Sequence, residues 1–241
     1  MTAFDFEGVF NEDYLYFYEE ILTAERTAED VEKIVELLEL QPGAEILDCP
    51  CGHGRIANAL AERGFRVTGI DASEFFLERA RADAAARSVD VEYVQGDMRN
   101  LPWRDRFDAL VNWFTSFGYF SDEQNKAVLR EFRAALEPGG RLILETQNIT
   151  RILLNPSPLI EIERNGDLML DKWQLDVENA RFVTTRTVVR AGRTRKTHFV
   201  IRWFSAPELR TWLEEAGFEN VQTPGLTQDT RMVVVADRPV S

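Results

Sequence analysis

Hydrophobic and polar residues alternate along the first part of the chain in blocks that predict strands and helices in turn. Residues 44–48 form a short apolar run typical of a buried strand, and a turn with two glycines follows it. Residues 55–63 place apolar side chains at helical spacing, and residues 65–70 have the pattern of a second strand. Asp71 follows that strand directly. The stretch therefore predicts a strand, a glycine-rich turn, a helix and a second strand.

The same alternation continues beyond this unit. Residues 91–95, 107–111 and 141–146 are three further apolar runs of strand length, and Ser121 is a candidate N-cap for the helix that separates the last two. Strands that alternate with helices in this way are typical of a parallel sheet covered by helices.

After residue 148 the alternation of strands with helices stops. Four segments with strand-like alternation are separated by short turns rich in Asn and Gly, which predicts an antiparallel sheet. A capping box then opens a last helix, and two short strands close the chain as a hairpin. We therefore predict three parts: a lid helix over residues 1–26, a core over 27–148 and 205–241, and an inserted β subdomain over 149–204.

The segment before the core is rich in aromatic residues. Tyr14, Phe17, Tyr18 and Ile21 share one helical face, which predicts either a helix that packs on the core or a lid over a site. We expect the first core helix to begin at Thr27.

Charge and composition exclude several classes of function. The 241 residues are 44% hydrophobic and carry a formal charge of −13, whereas a nucleic-acid-binding surface is normally basic. No apolar run approaches the roughly 20 residues of a membrane span, and the first residues do not resemble a signal peptide. Cys49 and Cys51 lack the further ligands that a metal site needs. We expect a cytoplasmic protein that binds neither nucleic acid, membrane nor metal.

The turn after the first strand carries the candidate chemistry. Gly52 and Gly54 fit a loose nucleotide-binding pattern, and a carboxylate such as Asp71 after the second strand suits the hydroxyls of a ribose. Asp48 stands at the entrance, where it would repel a pyrophosphate. It suits a ligand with cationic groups and no phosphate, such as S-adenosylmethionine. The alternative is that Asp48 only ties down the loop.

Two more motifs complete a resemblance. Residues 96–98 read Gly-Asp-Met after the third strand, and residues 138–140 read Pro-Gly-Gly before the fifth. With the Leu-Asp-x-x-Cys-Gly-x-Gly-Arg run of residues 47–55, they resemble the class I S-adenosylmethionine-dependent methyltransferases. Pro50 replaces the first glycine of that family's motif, and His53 stands where small residues are more usual.

The resemblance implies an α/β fold with a Rossmann-like seven-stranded sheet and an antiparallel β insertion after strand 5, with S-adenosyl-L-methionine as cofactor. It also implies that Asp71 holds the ribose, that Asp97 and Met98 contact the adenine, and that Arg55 pairs with the methionine carboxylate. The full set of implied cofactor residues is Tyr18, Asp48, Cys51, Gly52, Gly54, Arg55, Asp71, Ala72, Asp97, Met98 and Asn112.

The acceptor is predicted to be a small molecule. Residues 112–120 concentrate aromatic side chains at the carboxyl ends of the strands, which favours a pocket wall over a solvated loop. Tyr14, Tyr119 and His198 are the candidate catalytic residues, and N-methylation is favoured slightly over O-methylation because no clear base is evident. Arginines on the insertion point either to an anionic acceptor or to charged solvent faces. The insertion also makes a homodimer possible.

Three alternatives stay open at this stage. One is a protein that binds S-adenosylmethionine as a sensor, an interpretation that Pro50 leaves open, and another is an enzyme that uses the same cofactor for chemistry other than methyl transfer. The third is an NAD-dependent oxidoreductase, although Asp48 disfavours a pyrophosphate in the turn.

Overall fold

A computed structural model describes residues 5–227 and 229–240 of the chain. Its strands, in chain order, are β1 (Glu45–Asp48), β2 (Arg66–Asp71), β3 (Val91–Gln95), β4 (Phe107–Asn112), β5 (Leu136–Gln147), β6 (Leu159–Arg164), β7 (Asp167–Asp176), β8 (Arg181–Arg190), β9 (Arg193–Arg202), β10 (Glu219–Gln222) and β11 (Arg231–Asp237).

Three helices precede β1, single helices follow β1, β2, β4 and β5, and a last helix precedes β10, whereas a loop joins β3 to β4. The helices are α1 (Phe6–Val9), α2 (Glu12–Tyr18), α3 (Ala24–Leu38), α4 (Arg55–Glu62), α5 (Glu74–Arg87), α6 (Asp122–Ala135), α7 (Ile149–Leu154) and α8 (Ala206–Glu215). None of the helices in the described ranges is long and apolar enough to cross a bilayer.

Seven strands form the central sheet in the order β10-β11-β5-β4-β1-β2-β3. Five neighbouring strands of this sheet run parallel, namely β5, β4, β1, β2 and β3. The strand β11 is antiparallel to both of its neighbours, β10 and β5. Helices cover both faces of the sheet. All but one residue of β1 and all but one of β4 are therefore buried, which explains the continuous apolar runs of these strands. The predicted seven-stranded α/β fold is confirmed. Because the sheet is mostly parallel, the carboxyl ends of β1 to β4 meet at one edge.

The remaining four strands, β6 to β9, form the predicted antiparallel sheet as a meander. One face of this sheet carries Phe199 and Ile201 against Val9 of α1, and Met169 and Val188 pack with the aromatic residues of α2. The predicted lid segment is therefore two short helices that rest on the antiparallel sheet; its first four residues lie outside the described ranges.

The predicted start of the first core helix was wrong. The helix α3 begins at Ala24, and the Thr23 hydroxyl is the N-cap, accepting a hydrogen bond from the Arg26 N–H at 3.3 Å. Thr27 lies inside the helix, where its hydroxyl donates to the Thr23 carbonyl at 2.8 Å. Threonine is a favoured N-cap residue at either position, so the residue type alone does not select between them.

Gly54 illustrates how tightly the turn after β1 is packed. Its φ of +81° suits glycine, and a Cβ atom there would lie 2.4 Å from the Tyr93 hydroxyl and 2.8 Å from Ala80 Cβ. Gly64 has a similar φ of +87°, but a Cβ atom added there would have no neighbouring atom within 4 Å.

We predict that Gly54→Ala destabilises the fold more than Gly64→Ala. Both substitutions strain a left-handed backbone, at a cost of about 1–2 kcal/mol each. Gly54→Ala adds overpacking, which typically costs a further ~1–3 kcal/mol. Urea denaturation of the two variants measures the difference, and equal losses of unfolding free energy would contradict the packing seen at the turn.

Candidate active site

A cavity of about 350 Å³ lies at the edge of the sheet where the strands end. One side is formed by the carboxyl ends of β1 to β3 and the turn after β1, and the other by α1, α2 and the loop after β4. The predicted cofactor residues that line it are Asp48, Cys51, Gly52, Arg55, Asp71, Ala72, Asp97 and Met98.

Asp71 is held by the backbone on two sides. Its Oδ2 accepts a hydrogen bond from the Gly52 N–H and its Oδ1 accepts one from the Ser73 N–H, both at 2.8 Å. The carboxylate thus joins the glycine turn to the start of α5 and fixes its own orientation at the cavity edge. A carboxylate fixed in this way can accept further hydrogen bonds from the hydroxyls of a ribose.

Asp48 is a buried carboxyl in the cavity wall with one oxygen that lacks a partner among the described residues. Its side chain is only 2% exposed, and Oδ2 is the oxygen concerned. Burial raises the pKa of Asp48 to about 8, although Arg55 acts in the opposite direction. A buried carboxyl with an unsatisfied oxygen suits a cationic group that enters the cavity.

Arg55 contacts the cavity but already has a partner. Its Nη1 donates to Asp30 Oδ2 at 2.8 Å and to the Thr27 hydroxyl at 3.3 Å. Its guanidinium carbon lies 5.7 Å from the ring centre of Phe114. Asp30 of α3 therefore positions Arg55. Asp97 also has a partner already, since both of its oxygens accept hydrogen bonds from Arg99.

Aromatic side chains cover the cavity from the opposite side. Tyr14 and Tyr119 both line it, as predicted for the lid and for the loop after β4. Burial raises the pKa of each phenol, so both hydroxyls stay protonated and can donate hydrogen bonds but cannot act as bases near neutral pH. Phe76 of α5 also lines the cavity and was not predicted.

The structure does not bring four of the predicted site residues to the cavity wall. His198 is exposed on the outer face of β9, where its Nδ1 lies 3.0 Å from the Thr185 hydroxyl, because Phe199 and Ile201 occupy the inner face. Tyr18 lies behind Tyr14, with which its ring stacks at 4.3 Å.

The other two predicted residues, Asn112 and Gly54, have contacts that stabilise the turn after β1. Asn112 is fully buried and donates a hydrogen bond to the Cys49 carbonyl at 2.8 Å, so its amide nitrogen supports the turn. Its Oδ1 has no hydrogen-bond partner among the described residues. Gly54 is the N-cap residue of α4 and packs against Tyr93.

The chain resembles known methyltransferases in sequence. A family profile described as "Methyltransferase domain" matches residues 46–140. The cypemycin N-terminal methyltransferase of a Streptomyces species is 30% identical over 222 residues, which cover 81% of this chain and 84% of that protein. A demethylmenaquinone methyltransferase of Thermotoga maritima is 37% identical over 116 residues, and this match covers only 46% of this chain and 47% of that protein.

Solved structures share the fold. An S-adenosylmethionine-dependent methyltransferase from Clostridium acetobutylicum has a TM-score of 0.77 at 14% identity, over 94% of this chain and 98% of that one. The sugar N-methyltransferase KedS8 from a Streptoalloteichus species has a TM-score of 0.72 at 22% identity, over 94% of this chain and 92% of that one. The match to a relative over most of its length, together with the motifs at the strand ends, shows that this chain belongs to the S-adenosylmethionine-dependent methyltransferases.

Proposed function

We propose that the chain transfers a methyl group from S-adenosylmethionine to a nitrogen atom of a small molecule. The observation that carries the proposal is the cavity itself, which has three carboxylates at the ends of β1, β2 and β3 on one side and an aromatic lid on the other. Small-molecule sites are typically concave, mostly apolar and provided with a few fixed polar groups, as this cavity is.

The described residues fit the cofactor. In this proposal Asp71 receives the ribose hydroxyls, Asp97 and Met98 flank the adenine, and the turn at Gly52 with Asp48 receives the methionine end. The unsatisfied Oδ2 of Asp48 offers an acceptor for the ammonium group of that end. Bound S-adenosylmethionine supplies a methyl group on a positively charged sulfur. The task of the chain is then to align donor and acceptor and to exclude water, and alignment alone can contribute ~7–11 kcal/mol.

The lid favours nitrogen over oxygen as the methylated atom. A hydroxyl acceptor needs a base, and the residues near the aromatic wall are poor ones: the phenols of Tyr14 and Tyr119 stay protonated, and burial lowers the pKa of His53 to about 4. An amine in its neutral form already has the lone pair that attacks a methyl group.

The arginines of the antiparallel sheet do not favour an anionic acceptor. Arg186 forms two hydrogen bonds with Asp171, at 2.7 and 2.6 Å, and Arg190 pairs with Asp13 at 2.8 Å. Their charge is compensated within the fold, so a neutral or basic acceptor suits the site better.

The homodimer stays a prediction that size-exclusion chromatography tests.

Methyl transfer to a panel of small amines, alcohols and phenols tests the proposed function. Release of S-adenosylhomocysteine reports turnover, and mass spectrometry of each product identifies the methylated acceptor. Turnover with amines alone is expected; turnover confined to phenols or alcohols would contradict the choice of nitrogen.

We predict that Asp71→Asn weakens S-adenosylhomocysteine binding roughly 10- to 100-fold, because a neutral amide accepts hydrogen bonds from the ribose less strongly than a carboxylate. Titration calorimetry measures the affinity. Asp90→Asn, at an exposed position before β3, is the matched control and should leave it unchanged. An affinity that Asp71→Asn does not alter would place the ribose elsewhere.

We predict that cofactor binding releases a proton from Asp48. With a pKa of about 8, this carboxyl is mostly protonated in the free protein at pH 7, whereas a cationic ligand favours its ionised form. Affinity for S-adenosylhomocysteine should rise by up to tenfold per pH unit from about pH 6 to 8 and then level off. Calorimetry in buffers with different ionisation enthalpies counts the proton, and Asp48→Asn should abolish both effects.

We also predict, from the raised pKa of Asp48, how the free energy of unfolding depends on pH. Between about pH 4 and 8 the folded chain holds a proton on Asp48 that the unfolded chain has lost, so this group makes the free energy of unfolding fall as pH rises. Asp48→Asn should therefore unfold at higher urea concentration than the original chain at pH 8, without ligand, and the gap should narrow toward pH 5. A variant that is less stable at both pH values would show that Asp48 is compensated in the fold.

A further inference from the structure

Four aromatic rings from separate parts of the chain form a box at the lid side of the cavity. They are Phe10 after α1, Tyr14 of α2, Phe76 of α5 and Tyr119 of the loop after β4, and all four line the cavity. The Phe10 ring centre lies 5.3 Å from that of Tyr14 and 5.7 Å from that of Tyr119, with interplanar angles of 77° and 72°. Steep angles of this kind make the rings adjacent walls, not layers of a stack.

The fourth wall ties the box to the cofactor side. The ring centre of Phe76 lies 6.4 Å from that of Phe10 and 5.9 Å from that of Tyr14. A Cβ atom placed on Gly52 would lie 3.9 Å from the Phe76 ring. The box therefore adjoins the turn that the proposed function assigns to the methionine end of the cofactor, which is the end that carries the methyl group.

The four side chains of the box are aromatic rings without a charge of their own. Arg186 approaches Tyr14 from behind, with its guanidinium carbon 5.9 Å from the ring centre, but this arginine is neutralised by Asp171. Among the described residues, the charged side chains that line the cavity lie on the glycine turn and at the ends of β1 to β3: Asp48, Arg55, Asp71, Asp97 and Arg99. Aromatic rings grouped in this way bind alkylated ammonium groups through cation–π attraction.

Resting on the methyltransferase function proposed above, we propose that this four-ring box binds the acceptor nitrogen as it becomes cationic, so that the acceptors are alkylamines up to tertiary amines and the products extend to quaternary ammonium compounds. The nitrogen lone pair forms the new N–C bond while the C–S bond breaks and its electron pair stays on sulfur. Positive charge moves from sulfur to nitrogen, into the box. The neutral form of a tertiary amine is the nucleophile, and it forms from the protonated amine by loss of a proton to solvent before the attack. After the attack the quaternary nitrogen has no N–H left to lose, so the transfer step itself needs no base.

The physical basis is differential binding. A neutral amine interacts only weakly with the negative faces of the rings, whereas the charge that develops on nitrogen is attracted to them. An interaction that strengthens along the reaction accelerates it, because it stabilises the transition state more than the ground state. The rings also accommodate additional methyl groups by apolar contact.

Choline and 3,3-dimethylbutan-1-ol provide the test, because they share a shape and a hydroxyl but differ in charge. Both are titrated by calorimetry into the chain saturated with S-adenosylhomocysteine, which cannot donate a methyl group. Choline is expected to bind roughly tenfold more tightly than its neutral counterpart. Tyr119→Phe keeps the ring and should keep this preference, whereas Tyr119→Leu and Phe10→Leu should each reduce it to about twofold or less.

Phe75→Leu is the matched control, since Phe75 neighbours Phe76 on α5 but is 44% exposed and does not line the cavity. It should retain the full preference. Equal binding of the two probes by the original chain would overturn the proposal, and so would a Phe10→Leu variant that loses affinity for S-adenosylmethionine but keeps the preference for choline. Failure to bind S-adenosylhomocysteine at all would instead count against the proposed function, so the two failures are distinguishable.

Discussion

The site depends on one carboxylate that accepts two backbone hydrogen bonds. Asp71 binds the Gly52 N–H of the turn after β1 and the Ser73 N–H at the start of α5. These bonds connect the ends of two neighbouring parallel strands to the elements that follow them. Phe76 stands one turn further along α5, so the same carboxylate helps to position both the turn after β1 and a ring that lines the cavity. In the proposed function, the donor and acceptor surfaces are therefore built on one support.

Local patterns predicted the parts of the fold that local physics determines. The parallel strands, the glycine turn and the antiparallel meander all follow from apolar periodicity and turn residues, because these features need only near neighbours in the sequence. The ends of β1, β2 and β3 could also be placed at one edge, since parallel strands leave no alternative. For this reason the sequence alone was enough to group Asp48, Asp71 and Asp97, which line the same cavity.

Local sequence patterns could not predict which way a side chain points or which distant residue it pairs with. The arginines of β8 looked available for a ligand, but Arg190 finds Asp13, which is 177 residues away in the sequence. Asn112 sits at a strand end like the three aspartates, yet its amide turns inward to the Cys49 carbonyl. His198 illustrates a different limit: alternation shows that it and Phe199 face opposite ways, and the pattern alone does not reveal which face covers the cavity.

The lid helices rest on the antiparallel sheet, with Val9 against Phe199 and Ile201, and Phe17 against Met169 and Val188. Two segments that are far apart in the sequence thus form one packing unit beside the cavity at the edge of the central sheet. Under the proposed function, a natural or engineered exchange of acceptor range would have to transplant both segments as a pair. A chimaera that received only the foreign sheet would keep a lid shaped for the surface it had lost.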